Sequence, residues 1–309
     1  MSIVVSLPGS ALLQAYEALP GPAPTAVEFV TWDFRTPPPR DDFDIVVPPY
    51  MGATPLLSAL DGVRTRLVQS QSIGFDGVTD VLPAGNVFAN AASVHETSTA
   101  ELAVGLILAA QRGIPDFVRA AERGEWAPGR YPSLADRRVL ILGYGGVGKA
   151  VEARLAGFEI EVTRVASRAR DEDGAHVHGI DELPQLLPDA DIVVVGTPLS
   201  DATRGLVDDS FLTALPDGAL VVNVARGPVA DTDAVLKHAA SGRLRFALDV
   251  TDPEPLPAAH PLFALPNVLI SPHVGGATSA MMPRMARLLR RQIERVLAGE
   301  PPLNVVLHT

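Results

Sequence analysis

Residues 138–157 read RVLILGYGGVGKAVEARLAG, and this stretch decides the fold. Its first part, RVLIL, is a short apolar run of the kind found in strands that are buried on both faces. Gly143, Gly145 and Gly148 follow in the G-x-G-x-x-G spacing, and a helical pattern begins within that spacing. The stretch therefore predicts a strand, a glycine turn and a helix in that order.

The three glycines have separate physical roles in such a turn. Gly143 allows the tight turn, Gly145 lets backbone amides approach a pyrophosphate, and Gly148 permits close packing of helix on strand. The helix start, with Gly146 and Val147, offers unpaired N–H groups to an anion. A flexible turn without a ligand is the alternative, but the order of elements favours a dinucleotide-binding unit.

Five further apolar runs follow the glycine turn at regular intervals. They read VTRVAS, DIVVVGTP, ALVVNVARG, RFALDV and NVLISPH. Helical segments separate them, including IDELPQLL, DDSFLTAL and DTDAVLKHAASG. Strands that alternate with helices in this way are parallel, with crossover helices on both faces of the sheet. The second half of the chain thus predicts a doubly wound α/β domain.

The flanking segments predict shorter elements. From Ser2 to Phe88, apolar runs alternate with loops rich in Pro and Gly, which indicates strands joined by loops and modest helices. Residues 97–123 have helical periodicity, but Gly113 and Pro115 should break or kink that helix. The chain closes with a predicted helix over residues 278–299.

Composition excludes several classes of protein. The chain has 309 residues, enough for two domains, with 47% hydrophobic and 20% charged residues. A formal charge of -11 argues against nucleic acid and against an anionic membrane as partners. We see no leader sequence and no apolar run long enough to span a bilayer, so we expect a cytoplasmic protein. No cysteine is present, and the seven histidines lack a ligand spacing such as H-E-x-x-H, so no metal is expected.

The end of the second predicted strand bears on the choice of cofactor. An acidic residue about 20 positions after the glycine turn would bind the ribose hydroxyls of NAD(H). The segment EVTRVASRAR instead offers Ser167 and Arg168, which suit the 2′-phosphate of NADP(H). In the alternative, Arg168 and Arg170 are solvated, and Asp171 or Asp173 serves NAD(H). We predict that NADP(H) is preferred and NAD(H) is possible.

Four polar residues follow later strands, where ligands bind in α/β sheets. Arg226 follows ALVVNVA and could bind a carboxylate and polarise the adjacent carbonyl. His273 ends NVLISPH and could exchange a proton, because histidine titrates near neutral pH. Glu254 could fix the tautomer of that imidazole, and Asp249 could accept a hydrogen bond from the nicotinamide carboxamide. The alternatives are a surface salt bridge for Arg226, a solvated carboxylate for Glu254 and a turn cap for Asp249.

Five motifs in order resemble the D-isomer-specific 2-hydroxyacid dehydrogenase family, especially its glyoxylate/hydroxypyruvate reductase branch. They read GYGGVG, TPLSDATRGLVD, VNVARGPVADTDAV, ALDVTDPEPLP and NVLISPHVGGAT. The resemblance runs from about residue 68 to about residue 299. It implies a catalytic set at Arg226, Glu254 and His273, and cofactor contacts at Thr197 and Pro198.

The same resemblance implies the architecture and the substrate contacts. A Rossmann domain, residues 98–275, would be inserted into a flavodoxin-like substrate-binding domain formed by residues 1–97 and 276–309. Backbone amides at Ile73 and Gly74 would hold the substrate carboxylate alongside Arg226. Tyr50 and Met51, in PPYMGATPLL, would select the side group of the keto acid. Family members are usually dimers, so we expect a homodimer with the connector helices and the loop near Trp126 at its interface.

These observations predict a reductase of small 2-keto acids such as glyoxylate or hydroxypyruvate. The product would be a D-2-hydroxy acid. The alternative from another class is a non-catalytic NAD(P)-binding sensor, because a fold does not dictate a function. A short-chain dehydrogenase is excluded, since its usual Tyr-x-x-x-Lys pair is missing.

Overall fold

The structure is a computed structural model, and it describes residues 2–309. Its strands are short, as is usual for doubly wound α/β folds. In chain order they are β1 (Ile3–Leu7), β2 (Val27–Thr31), β3 (Asp42–Val46), β4 (Arg64–Gln69), β5 (Val87–Ala89), β6 (Arg138–Leu142), β7 (Glu161–Ala166), β8 (Arg170–Glu172), β9 (Ala175–Gly179), β10 (Ile192–Val195), β11 (Leu220–Asn223), β12 (Arg245–Leu248), β13 (Val268–Ile270) and β14 (Val305–His308).

The α-helices connect these strands, with short 3-10 turns between some of them. They are α1 (Ser10–Glu17), α2 (Val78–Val81), α3 (Glu96–Gln111), α4 (Ile114–Glu122), α5 (Gly146–Leu155), α6 (Leu183–Leu186), α7 (Asp209–Ala214), α8 (Thr232–Ala240) and α9 (Met281–Ala298). Within residues 2–309, every helix is too short or too polar to span a bilayer.

The chain folds into two compact units. The first ends at His95 and resumes over Thr278–Thr309, and the second is Glu96–Ala277. In the first unit the sheet has the order β14-β5-β4-β3-β1-β2, with β14 antiparallel to β5 and the other pairs parallel. Helices α1 and α9 pack against each other and cover part of its apolar core.

The second unit has an eight-stranded sheet in the order β13-β12-β11-β10-β6-β7-β9-β8. All pairs are parallel except β8 with β9. The central strands β6, β10 and β11 are almost fully buried, and two apolar clusters contain their alternating side chains. The chain turns from one half of the sheet to the other between β6 and β10, which is the switch point where such folds bind dinucleotides.

The predicted strand runs of the second unit all form strands. One element was not predicted: the six predicted strands pair in parallel, but β8 and β9 add an antiparallel hairpin at the edge of the sheet. The segments RDE and AHVHG are charged or half-buried, so they lack the apolar run that marks a central strand. Edge strands need less apolar sequence, since one side remains open to solvent.

The predicted break in the first connector helix is also present. Helix α3 ends at Gln111, and Gly113 adopts a left-handed φ of 65° before α4 begins, with Pro115 in its first turn. The C-terminal helix starts three residues later than predicted, at Met281, and Gly299 caps it with a φ of 70°. Glycine suits both positions because it has no Cβ to clash in the left-handed region.

Candidate active site

The glycine turn is shaped by backbone packing that excludes side chains. Gly143 has a φ of 105°, and a Cβ there would lie 2.6 Å from the carbonyl carbon of Gly196. A Cβ on Gly148 would lie 2.4 Å from the carbonyl oxygen of Gly143. Contacts this close are too short for any carbon atom, so β6, the turn and α5 can pack in this way only with glycine.

Gly145 differs from these two glycines, because a Cβ there would meet nothing within 4 Å. It is the N-cap of α5, makes no side-chain cap, and precedes a first turn without acidic residues. The first N–H groups of a helix have no partner inside the helix and carry partial positive charge. The open space beside Gly145 and the uncapped helix start therefore fit a pyrophosphate.

Thr197 lies across the sheet switch point, directly after β10. Its side chain is buried at 8% exposure, yet its Oγ1 has no hydrogen-bond partner among residues 2–309. Pro198 follows and accepts a hydrogen bond from Thr203 Oγ1 at 2.7 Å through its carbonyl. A buried hydroxyl without a hydrogen-bond partner destabilises the folded protein unless a ligand or a water molecule supplies the missing hydrogen bond. The residues present thus fit a bound dinucleotide at this edge.

Ser167 and Arg168 follow β7 and are both exposed. Among the described residues, Arg168 takes part in no ion pair. Arg170, by contrast, donates to the carbonyl of Tyr144 in the glycine turn at 3.1 Å and to Glu172 at 2.8 Å. The guanidinium of Arg170 is therefore held by hydrogen bonds within the protein, whereas that of Arg168 could bind a ligand.

The carboxylates of the alternative NAD(H) interpretation are placed differently. Asp171 Oδ1 lies 2.9 Å from His176 Nδ1 across the β8–β9 hairpin. Asp173 occupies the hairpin turn with a left-handed φ of 52°. The carboxylate of Asp171 thus contacts the neighbouring strand of the hairpin.

Arg226 lies in a tightly held loop after β11. The side chain of Asn223 accepts a hydrogen bond from Ala225 N at 3.0 Å and donates to the carbonyl of Arg226 at 3.1 Å. The next residue, Gly227, packs so closely that a Cβ would lie 1.9 Å from the carbonyl oxygen of Thr251. The position of the Arg226 backbone is therefore set by Asn223 on one side and by Gly227 on the other.

His273 and Glu254 form the direct side-chain pair that the sequence predicts. His273 Nδ1 lies 2.5 Å from Glu254 Oε1, and the two side chains are 31% and 40% exposed. His273 has a left-handed φ of 52°, which is uncommon for a residue with a Cβ. Strained backbone of this kind persists only where the surroundings hold it, and it is concentrated at functional sites.

Asp249 makes several of the contacts that hold the backbone around His273. Its buried carboxylate accepts hydrogen bonds from Ser271 Oγ at 2.7 Å and from the backbone N–H groups of Val274 and Gly275, both at 2.9 Å. Its carbonyl accepts from His273 N at 2.7 Å. These contacts correspond to the turn-cap alternative, and they make Asp249 a support for the loop that carries His273.

Strands β11, β12 and β13 are adjacent and parallel, so their carboxyl ends lie at one edge of the sheet. Arg226 follows β11, Asp249 and Glu254 follow β12, and His273 follows β13. Ligands of doubly wound folds bind at this edge. The topology thus brings the predicted catalytic residues to the same edge as the glycine turn.

The predicted substrate residues belong to the first unit. Tyr50 stacks on His95, with ring centroids 5.5 Å apart, and Met51 has a φ of 57° and is 49% exposed. Ile73 and Gly74 lie in the half-buried loop after β4, where Asn90 Nδ2 donates to the carbonyl of Ile73 at 2.9 Å. No motif or spacing in the sequence indicated His95 as the stacking partner of Tyr50.

Comparison with known proteins identifies the family. Residues 104–275 match the NAD binding domain of the D-isomer specific 2-hydroxyacid dehydrogenases. The chain therefore belongs to this family of oxidoreductases, as the sequence motifs predict.

Three relatives illustrate the match. The chain is 31% identical over 293 residues to the glyoxylate reductase/hydroxypyruvate reductase of Homo sapiens, covering 89% of each chain. It is 32% identical over 252 residues to the glyoxylate reductase of Thermofilum pendens, covering 78% of this chain and 74% of that one. A crystal structure of a D-isomer specific 2-hydroxyacid dehydrogenase from Xanthobacter autotrophicus Py2, in complex with NADPH and MES, superposes with a TM-score of 0.80 at 29% identity, covering 99% of this chain and 98% of that one.

Proposed function

We propose that this protein is an NADPH-dependent reductase of small 2-keto acids, with glyoxylate or hydroxypyruvate as the substrate class and a D-2-hydroxy acid as product. The observation that carries the proposal is the His273–Glu254 pair, 2.5 Å apart, at the same sheet edge as the glycine turn. The names of the human and archaeal relatives support the substrate class.

The bound nicotinamide would supply hydride to the carbonyl carbon of the substrate. Arg226 would bind the substrate carboxylate and polarise the neighbouring carbonyl, because its planar fork matches a carboxylate. His273 would donate a proton to the carbonyl oxygen from the ring nitrogen that does not face Glu254. Glu254 would hold the ring and its tautomer, as a carboxylate does for a catalytic imidazole.

On the cofactor side, we propose that Gly145, Gly146 and Val147 bind the pyrophosphate through backbone amides. Thr197 and Pro198 would line the cofactor beside them. Ser167 and Arg168 would bind the 2′-phosphate and so favour NADPH over NADH; the support is the exposed guanidinium of Arg168, without an ion pair in the described part of the chain. Direct contact of Asp249 with the carboxamide stays a prediction.

In the first unit, we propose that the backbone amides of Ile73 and Gly74 bind the substrate carboxylate, and that Tyr50 and Met51 select its side group. That unit would then be the substrate-binding domain. A homodimer and a cytoplasmic location also stay predictions. Exposed apolar side chains on α4 and in the loop after it, including Trp126 at 95% exposure, support the dimer.

The test is oxidation of NADPH and of NADH, followed through the absorbance of the reduced nicotinamide, against glyoxylate, hydroxypyruvate, pyruvate and phenylpyruvate. We expect faster turnover with NADPH and with one of the two smallest polar keto acids. A preference for NADH would still show a keto-acid reductase, but it would contradict the proposed role of Ser167 and Arg168. Cofactor binding without turnover on any keto acid would instead identify a sensor.

A further inference from the structure

The β8–β9 hairpin carries a second cluster of titratable side chains, separate from His273 and Glu254. His176, His178 and Glu182 each offer one ligand atom, and these atoms all lie within 4.8 Å of one another. The two imidazole rings meet edge to face, with centroids 4.6 Å apart. The sequence predicts no metal because it has no ligands at a helical spacing such as H-E-x-x-H, whereas these ligands are spaced along a strand and the turn after it.

Local structure explains why the three side chains converge. His176 and His178 are two residues apart on β9, so both project from the same face of the sheet. The chain then turns through Ile180 into a short 3-10 segment, and Gly179 N donates to Glu182 Oε1 at 2.7 Å. That bond directs the carboxylate back to the strand, where Glu182 Oε2 lies 2.8 Å from His178 Nδ1.

A fourth side chain supports His176 from the facing strand. Asp171 is the register partner of His176 in the hairpin, and its Oδ1 lies 2.9 Å from His176 Nδ1. A carboxylate on one imidazole nitrogen fixes the tautomer and leaves the other nitrogen with a lone pair for a ligand. Histidines that bind metals in proteins usually have such a partner.

Charge and geometry suit a dication. Asp171 and Glu182 give the cluster two negative charges, while the neighbouring Arg170 and Glu172 project from the opposite face, where Glu172 pairs with Lys149. A tetrahedral Zn²⁺ places neighbouring ligand atoms about 3.3 Å apart. His176 and His178 are 51% and 28% exposed, so little packing opposes a rotation of their rings toward that spacing.

We infer that His176, His178 and Glu182 form a binding site for a late first-row transition dication of the Zn²⁺ class, with Asp171 orienting His176. Two imidazoles and one carboxylate are the donors that such ions prefer, whereas Mg²⁺ prefers oxygen ligands alone. Three protein ligands leave a fourth position for water. The site joins β9 to the segment before α6, so the bound ion would brace the edge of the sheet.

The experiment is calorimetric titration of the full-length chain, freed of metal and of any histidine tag, with ZnCl₂ and in parallel with MgCl₂. We expect one Zn²⁺ per chain and no Mg²⁺ binding. His178→Ala and Glu182→Gln should each weaken Zn²⁺ binding at least tenfold, and Asp171→Asn about tenfold. The matched control is His308→Ala, which removes an exposed histidine of the first unit and should leave binding unchanged.

Two further measurements keep the result unambiguous. Absorption of added CoCl₂ should show the intense visible bands of a tetrahedral site in the wild type and lose them in the His176→Ala/His178→Ala double variant. Thermal unfolding of the metal-free wild type and of its variants, including the conservative His178→Gln, checks that each of these proteins is folded before metal is added. Equal Zn²⁺ binding by the wild type and the double variant would overturn the proposal and leave hairpin ion pairs only. Binding lost only in His273→Gln would also overturn it and place the ion at His273 and Glu254.

Discussion

Two kinds of strand end carry the functional residues of the second unit. After β11 and β13, buried backbone and side-chain contacts fix the loops, as Gly227 against Thr251 and Asp249 beneath the His273 loop illustrate. After β7, exposed ion pairs hold the chain, with Glu172 between Arg170 and Lys149. The first kind fixes the loops through buried contacts, and the second should tolerate exchange of side chains.

This difference matches the two tasks of the site. In the proposed function, proton and hydride transfer would require the reacting groups in one geometry, which suits the firmly held loops that bear Arg226 and His273. In the proposed function, the choice between NADPH and NADH would depend on a charged contact near solvent, which can change without disturbing the sheet. Substitutions in the first region should therefore abolish activity or folding, whereas those in the second should shift preference.

The largest expected effect comes from His273, the proposed proton donor. His273→Gln keeps a similar shape but cannot exchange a proton, so kcat should fall by about 10²- to 10⁴-fold. Affinity for NADPH, measured by fluorescence titration, should stay within about twofold because the glycine turn is untouched. Steady-state kinetics with the best keto acid give the first value. A kcat near that of the wild type would remove His273 from the acid–base role.

The second effect is on folding. Gly227→Ala places a Cβ 1.9 Å from the carbonyl oxygen of Thr251, so the free energy of unfolding should fall by about 3 kcal/mol. Urea denaturation followed by circular dichroism measures it. The control is Gly145→Ala, whose Cβ would meet nothing within 4 Å and which should leave unfolding unchanged while weakening NADPH binding. Equal stability of Gly227→Ala and wild type would contradict the packed-loop description.

The central sheet and its glycine turn could be predicted from sequence because buried parallel strands have continuous apolar runs. The glycines after β6 were equally predictable, since their spacing reflects backbone packing that holds in any chain with this turn. The β8–β9 hairpin was not predicted because it ends the sheet, with Arg170–Glu172 as the edge strand, and neither of its strands has an apolar run. Local pattern thus identifies the core and misses the edge.

The candidate site shows the same limit. Arg226, Glu254 and His273 could be named because each follows a strand, but sequence alone could not establish the 2.5 Å contact between Glu254 and His273. Asp249 could be either a ligand contact or a cap, and only the three hydrogen bonds to its carboxylate show the cap. Contacts that join distant loops depend on tertiary packing, which a local pattern does not encode.

The third prediction concerns cofactor preference. Arg168→Ala removes the guanidinium proposed for the 2′-phosphate, so the KM for NADPH should rise about 10- to 100-fold. The KM for NADH should stay unchanged, because NADH has no phosphate there. Arg35→Ala, which removes an exposed arginine of the first unit, is the matched control and should affect neither cofactor. An equal rise for both cofactors would show that Arg168 only shapes the loop.

The smallest effect should come from the ion pairs that hold the hairpin. Hydrogen bonds from Lys149 and then from Arg170 keep the pKa of Glu172 below its ordinary value of 4.5. A carboxyl group with a lowered folded pKa stabilises the protein above the ordinary value, and that contribution is lost as pH falls through the folded value. Glu172→Gln should therefore lower the midpoint of thermal unfolding by at most about 2 °C at neutral pH. The difference from wild type should disappear as the solution is acidified below pH 4.5.

The matched control separates stability from cofactor binding. Glu125→Gln breaks a similar exposed pair with Arg123, which likewise lowers the pKa of Glu125, but this pair lies in the loop after α4. Both variants should shift the unfolding midpoint equally little. Only Glu172→Gln should weaken NADPH binding, by about threefold, because Arg170 then loses the partner that steadies its bond to the Tyr144 carbonyl. Equal NADPH affinity in the two variants would mean that the hairpin does not support the glycine turn, and the cofactor preference would then rest on Ser167 and Arg168 alone.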